Sequence, residues 1–187
     1  MQLYPLLFKS NLHTVVWGGN LLRPYKGLEP SDEPIGESWE VSAVPTSTSI
    51  VSNGVHAGKD LISVINEQPD AILGKKVNEK FNGKLPLLVK FIDAKRDLSI
   101  QVHPNDEMAM REHGKMGKSE MWYVIKADDG AHLYAGFKQE ITPEEYHKRI
   151  ADGTITDVLA DHKVKAGDVF YLPAGRVHAI CGGYLAG

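Results

Sequence analysis

The sequence predicts an all-β-dominated fold, a sandwich or barrel of short strands with a few short helices. Three observations predict it. Short alternating or β-branched stretches recur along the chain, bounded by Gly, Pro, Asn and Asp. Helix-start signals are few, and the helical stretches behind them are short. No internal repeat, low-complexity tract or linker interrupts the 187 residues. They read as a single domain, 1–187, large enough to bury a core without staples.

Taken in order, residues 1–30 are loop-rich, with Pro5, Pro24, Pro30 and a Trp17-Gly18-Gly19 turn. Ile35–Ser42 alternates as a strand, with Trp39 and Val41 on one face. Thr46–Val55, rich in Ser, Thr, Val and Ile, predicts another strand that turns at Asn53-Gly54. Asp60 caps a helix predicted through Leu73 and closed by Gly74. Leu85–Ile92 is an apolar run broken only by Lys90, which reads as a buried strand whose lysine needs a partner or a path to water. Asn105 caps a helix through Glu112, ended by Gly114, and residues 114–119 read as a mobile loop. Glu120–Lys126 returns as a strand. Asp128-Asp129-Gly130 turns it into a hairpin with Ala131–Phe137. Thr142-Pro143-Glu144-Glu145 starts a helix with a capping box and proline at the first helical position. Asp157–Val164 and Asp168–Leu172 are further strands around a turn at Ala166-Gly167.

Composition bounds the function. A net charge of −3 leaves no footprint for nucleic acid or an anionic membrane surface. The one cysteine, Cys181, excludes an intrachain disulfide framework and suits a reducing compartment. The opening MQLYPLLFK lacks the basic and apolar regions of a signal peptide, and no apolar run reaches membrane-spanning length. The expectation is a cytoplasmic protein with neither nucleic-acid nor membrane partners.

Chemistry concentrates in Asp97–Asp106, DLSIQVHPND. As a strand it puts Ser99, Gln101 and His103 on one face and Leu98, Ile100 and Val102 on the other, which must pack against something. Pro104 ends regular pairing. Gln101 and His103 both carry metal-ligating atoms, although taken alone they favour a polar solvated face, and only KSEMWYV at 118–124 and GDVFYLPAGRVH at 167–178 reverse that. Glu120 shares a face with Trp122 and Val124. Inside a barrel such a carboxylate needs a cation, and at a strand mouth it needs none. Gly167-x5-Pro173-x-Gly175-x2-His178 is more specific, for it resembles the second cupin motif. Gly167 and Asp168 turn into a strand, Pro173 and Gly175 form a corner, and His178 points inward on the way back. The first cupin motif is matched only in part: its His-x-His is Gln101-x-His103, and Glu120 lies much further along. The asparagine expected after the second motif is absent, with Gly182 in its place.

That deviation has its own pattern. SIQVHP, KSEMWYV and PAGRVHA, together with IGESWEVS at 35–42 and LPLLVKFIDA at 85–94, resemble the type I phosphomannose isomerases in their compact bacterial form. The resemblance covers nearly the whole chain. It implies a cupin jelly roll and one zinc per chain, held by Gln101, His103, Glu120 and His178. The substrate implied is a sugar phosphate, mannose 6-phosphate, interconverted with fructose 6-phosphate. Lys118 matches the family's active-site lysine, against a plain solvated loop lysine. Ser99 either binds substrate or is an ordinary strand serine. An amide, two imidazoles and a carboxylate suit zinc with a coordination position to spare. The rival readings are a non-catalytic metal-binding cupin, such as a sugar-phosphate sensor, and an iron oxygenase, against which Gln101 argues. Cys181 reads as a packed core thiol. His13, His56, His113, His132, His147 and His162 read as surface residues, and Trp17 and Trp39 as core.

Family members continue past the position matching Gly187 and carry an active-site arginine there. The resemblance therefore implies an N-terminal portion, truncated at its C-terminal end. The matching expectation is an open sheet edge or apolar patch at 178–187, through which a homo-oligomer forms.

Overall fold

Alternation decides the sheets. In the computed structural model, which describes residues 3–187, the described residues form nine strands. These are β1 (Leu12–His13), β2 (Glu37–Val41), β3 (Val89–Ala94), β4 (Glu120–Ala127), β5 (His132–Phe137), β6 (Leu159–Lys163), β7 (Val169–Leu172), β8 (His178–Ile180) and β9 (Tyr184–Ala186). Six of them make one sheet in the order β1-β2-β3-β9-β4-β7, and three make a second, β6-β5-β8. Every neighbouring pair is antiparallel. Along β4 the period of two is plain: Trp122 and Val124 are buried while Met121 and Tyr123 are exposed. The buried sides of both sheets share one core, in which Ile92, Trp122, Leu172 and Tyr184 meet Leu133 and Ile180. This is a sandwich rather than a closed barrel. A smaller cluster of Leu22, Ile35 and Leu185 lies on the opposite face of the larger sheet.

The helices are α1 (Leu22–Tyr25), α2 (Leu61–Glu67), α3 (Pro69–Leu73), α4 (Lys75–Phe81), α5 (Asp106–His113) and α6 (Pro143–Ala151). The three anticipated caps form. Asp60 accepts from the Ser63 N–H at 2.8 Å, Asn105 from Met108 at 2.9 Å and Thr142 from Glu145 at 3.2 Å. Gly114, at φ 61°, closes α5 in the left-handed region.

Several expectations are corrected. The helix expected over 60–73 is two, because Pro69 has no N–H to continue α2 and instead starts α3. Residues 46–55 make isolated bridges at Ile50 and Val51 and then a single 3₁₀ turn, Gly54–His56. Their side chains satisfy the backbone locally: Ser49 Oγ accepts the Ser42 N–H, and Thr48 Oγ1 donates to Val44 O. The strand expected from Leu85 starts at Val89, since Pro86 cannot donate, and Leu87 is exposed. Residues 97–104 run alongside β8 with one bridge, Gln101–His178, rather than as a full strand. Among the described residues nothing covers their outer side, so Ile100 and Val102 face solvent instead of packing. β4 and β5 are not a hairpin, for the Asp128–Gly130 turn passes from one sheet to the other. His56 is buried, its N–H bonded to the Tyr4 hydroxyl.

The expected open edge is also misplaced. β9 inserts between β3 and β4, and β8 pairs with β5 and with Gln101, so both are buried. The edge strand with exposed apolar side chains is β7. Val169 and Tyr171 lie outward there, beside Met121 and Tyr123 of β4.

Candidate metal centre

Three segments bring the candidate ligands together. His103 precedes Pro104, whose ring ends the extended run. Glu120 is the first residue of β4 and faces inward with Trp122. His178 opens β8 after the Pro173–Gly175 corner, whose Gly175 has φ 86°. Hydrogen bonds tie the segments together. His178 and Gln101 exchange backbone bonds at 2.9 Å, Gly175 N–H donates to His103 O at 2.7 Å, and Ala174 N–H donates to Ser119 Oγ at 3.1 Å.

His103, Glu120 and His178 offer ligand atoms that all lie within 4.8 Å of one another. His178 Nε2 is 3.1 Å and His103 Nε2 3.5 Å from Glu120 Oε2. Both nitrogens are buried and neither makes an aligned hydrogen bond. His178 Nδ1 lies 2.8 Å from Arg176 O, so in the neutral ring Nδ1 carries the proton and the Nε2 lone pair faces the carboxylate. A lone pair on His178 Nε2 aimed at a carboxylate repels it, with the unpartnered His103 Nε2 buried beside them, and a cation between the three resolves the conflict. The donor set, two imidazoles and a carboxylate, therefore fits a divalent ion.

The electrostatics favour the ligand forms. Burial, then the Lys118 charge, depresses His103 and keeps its imidazole neutral. Burial raises Glu120, but in the metal-free protein the His178 ring, when its Nε2 carries a proton, and Lys118 outweigh it and hold the carboxyl at about 2. Lys118 Nζ sits 2.6 Å from Glu120 Oε1.

Beside the cluster lies a pocket of about 280 Å³ that Ser99, Gln101, Lys118, Glu120 and His178 line. Every residue of the anticipated site except His103 borders it, and His103 stands behind it against His178, ring centroids 4.9 Å apart. The Gln101 amide NH₂ donates to Ser99 Oγ at 2.9 Å, which leaves the amide oxygen as its free acceptor. The pocket also holds an ion pair that sequence reasoning did not assemble: Lys90 Nζ to Glu37 Oε1, 2.7 Å. Trp39 Nε1–H holds the other Glu37 oxygen at 2.7 Å. The available signal was the one charge in the Leu85–Ile92 run. Trp17 lines the pocket as well as packing on the core. Cys181 is buried, which pushes its thiol up to about 11 and makes it a core residue.

Fold and cluster together define the cupin class: a β-sandwich with a metal-fitting His/Glu/His set on its inner wall. Within that class the chain belongs to the type I phosphomannose isomerase family, whose catalytic-domain model matches residues 6–142. It is 40% identical over 181 residues to a mannose-6-phosphate isomerase of Streptococcus mutans, covering 97% of this chain and 55% of that protein. It is 40% identical over 187 residues to ManA, a mannose-6-phosphate isomerase of Bacillus subtilis, covering 57% of it. A crystal structure of the B. subtilis mannose 6-phosphate isomerase superimposes on 97% of this chain and 56% of its own, with a TM-score of 0.88 and 34% identity. The chain thus spans little more than half the length of these relatives. Among the described residues, no helix is long and apolar enough to cross a membrane.

Proposed function

We propose that residues 1–187 act as one metal-binding domain of a cytoplasmic, zinc-dependent isomerase that interconverts mannose 6-phosphate and fructose 6-phosphate. The observation that carries this is the pair of orphaned imidazole nitrogens on either side of Glu120 at the wall of an open pocket. His103, Glu120, His178 and the free amide oxygen of Gln101 would hold the ion. When bound there, zinc supplies Lewis-acid polarisation of a sugar carbonyl oxygen.

The rest is the work of the chain's own residues. Lys118, fixed over Glu120, presents ammonium protons to the pocket and serves as the catalytic cation beside the reacting carbons. Ser99, oriented by Gln101, offers a hydroxyl to a substrate oxygen. Lys118 and Lys90 are the cations lining the pocket, and a phosphate group needs at least one. Leu98, Ile92 and Trp122 form the apolar wall that limits water.

Two measurements test the reading. Metal analysis of the purified chain should find about one zinc per chain, since the donors offer one site with a position left for a substrate oxygen. A coupled assay with mannose 6-phosphate should show turnover that a chelator abolishes and zinc restores. Bound zinc without turnover would favour the sugar-phosphate sensor. Iron in its place would favour an oxygenase.

A further inference from the structure

The loop that carries Lys118 is tied to the start of α5 by one exposed acid. Asp106, the first residue of α5, accepts the Gly117 N–H on Oδ1 at 2.9 Å. Directly beside it the Lys118 N–H donates to Pro104 O at 3.2 Å. Gly117 lies flush on this turn, for a Cβ there would stand 2.4 Å from Asn105 C and 2.6 Å from Pro104 O. So the far side of α5 returns to seat on its own first turn, with no room for a methyl group between them. Residues 115–119 have no regular structure of their own. One residue past this contact, the Lys118 ammonium reaches Glu120 at 2.6 Å. Asp106 does not line the pocket and is absent from the metal cluster.

We propose that Asp106 is a positioning residue. By holding the Gly117 amide it seats the 114–119 loop so that Lys118 stays over Glu120 instead of swinging into solvent. The clasp acts through the backbone of Gly117, next to Lys118, and needs an acceptor rather than a charge. What this means for turnover rests on the isomerase reading; where the lysine sits does not.

The test is acylation of lysines in the purified chain by an amine-reactive ester, followed peptide by peptide by mass spectrometry. Exposed Lys138 and Lys148 serve as internal standards. Lys118 of the wild type should react more slowly than either. Asp106→Ala should raise its relative rate about fivefold, equivalent to the roughly 1 kcal/mol of one net hydrogen bond. Gly117→Ala, which forces the loop off the turn without removing an acid, should do the same. Asp106→Asn keeps an accepting oxygen and should stay near the wild-type rate. Zinc titration should be unchanged in all three. An unchanged Lys118 rate in Asp106→Ala overturns the proposal. So does an Asp106→Asn that behaves like the alanine variant, because charge would then be the agent, and so does a parallel fall in zinc affinity, which marks a merely structural role. In a preparation that turns over mannose 6-phosphate, Asp106→Ala should lower kcat and leave KM alone. A wild type without turnover defeats the isomerase reading, and the labelling result still decides the clasp.

Discussion

Removing the Glu120 carboxylate takes the anion out of the candidate ligand set and leaves the Lys118 ammonium without its partner. Glu120→Gln should weaken zinc binding at least about 100-fold, beyond the roughly 10–100-fold cost of losing a residue that only orients a ligand; isothermal titration reads it. The metal-free protein carries a pH signature as well. The Glu120 carboxyl sits at about 2 when folded, against an ordinary 4.5. A depressed carboxylate contributes stability that is fully present above the ordinary value and is lost as pH falls through the folded one. The stability difference between wild type and Glu120→Gln, measured in chelator, should therefore be flat above pH ~5 and shrink by about 3 kcal/mol towards pH ~2. On the isomerase reading, Lys118→Met should lower turnover about 100-fold or more and spare the bound metal, as the loss of a group acting on the reacting atoms would. At this scale the sequence was informative where chemistry is local. His103 and His178 of the His/Glu/His cluster announce themselves through spacing and a motif. The Lys90–Glu37 pair does not, because 53 positions separate its members and only the β2–β3 register joins them.

Elements were legible where their ends carry their own chemistry. The capped starts at Asp60, Asn105 and Thr142 need only a side chain and an N–H a few residues away, and all three form. Pairing partners were not legible. An Asp-Asp-Gly turn between two alternating runs reads as a hairpin, yet β4 finds its neighbours in β7 and β9. The turn into α1 shows how far such contacts reach. Buried Asp93 of β3 accepts the Leu21 N–H at 2.6 Å, 72 positions away. Burial, ahead of its backbone bonds, pushes its carboxyl up. Gly19 fits against that carboxylate so closely that a Cβ would stand 2.5 Å from either oxygen. Gly19→Ala should therefore cost about 1–3 kcal/mol in urea unfolding, the usual penalty of overpacking. Because the same turn carries Trp17 into the pocket, the variant should also blunt the response of tryptophan fluorescence to ligand. A Gly19→Ala protein of unchanged stability would mean that the Asp93 contact is loose.

At the scale of the whole molecule, composition and strand count gave the sandwich, and no local signal could give the strand order. The consequence is sharpest at β9. Among the described residues it is the only strand that links the β1-β2-β3 half of the larger sheet to the β4-β7 half. Tyr184, Leu185 and Ala186 are buried, and Tyr123 exchanges backbone bonds with Gly187 at 2.8 and 3.0 Å. Tyr184 packs into the central core and Leu185 into the cluster on the other face, so this one strand serves both. A buried side chain of that size is worth roughly 1.5–3 kcal/mol, and the ladder bonds on both sides add to it. Set against a typical net stability of about 5–15 kcal/mol, deleting residues 182–187 should abolish cooperative unfolding and take the candidate metal site with it. Glu120, at the start of β4, would then lose the sheet that holds it opposite His178 of the other sheet. Leu185→Ala is the graded version, expected to cost about 2–5 kcal/mol with zinc still bound in the folded fraction. Thermal unfolding followed by circular dichroism, with and without zinc, separates the cases. A deletion variant that still melts cooperatively and binds zinc would show that the two halves of the sheet hold together without β9.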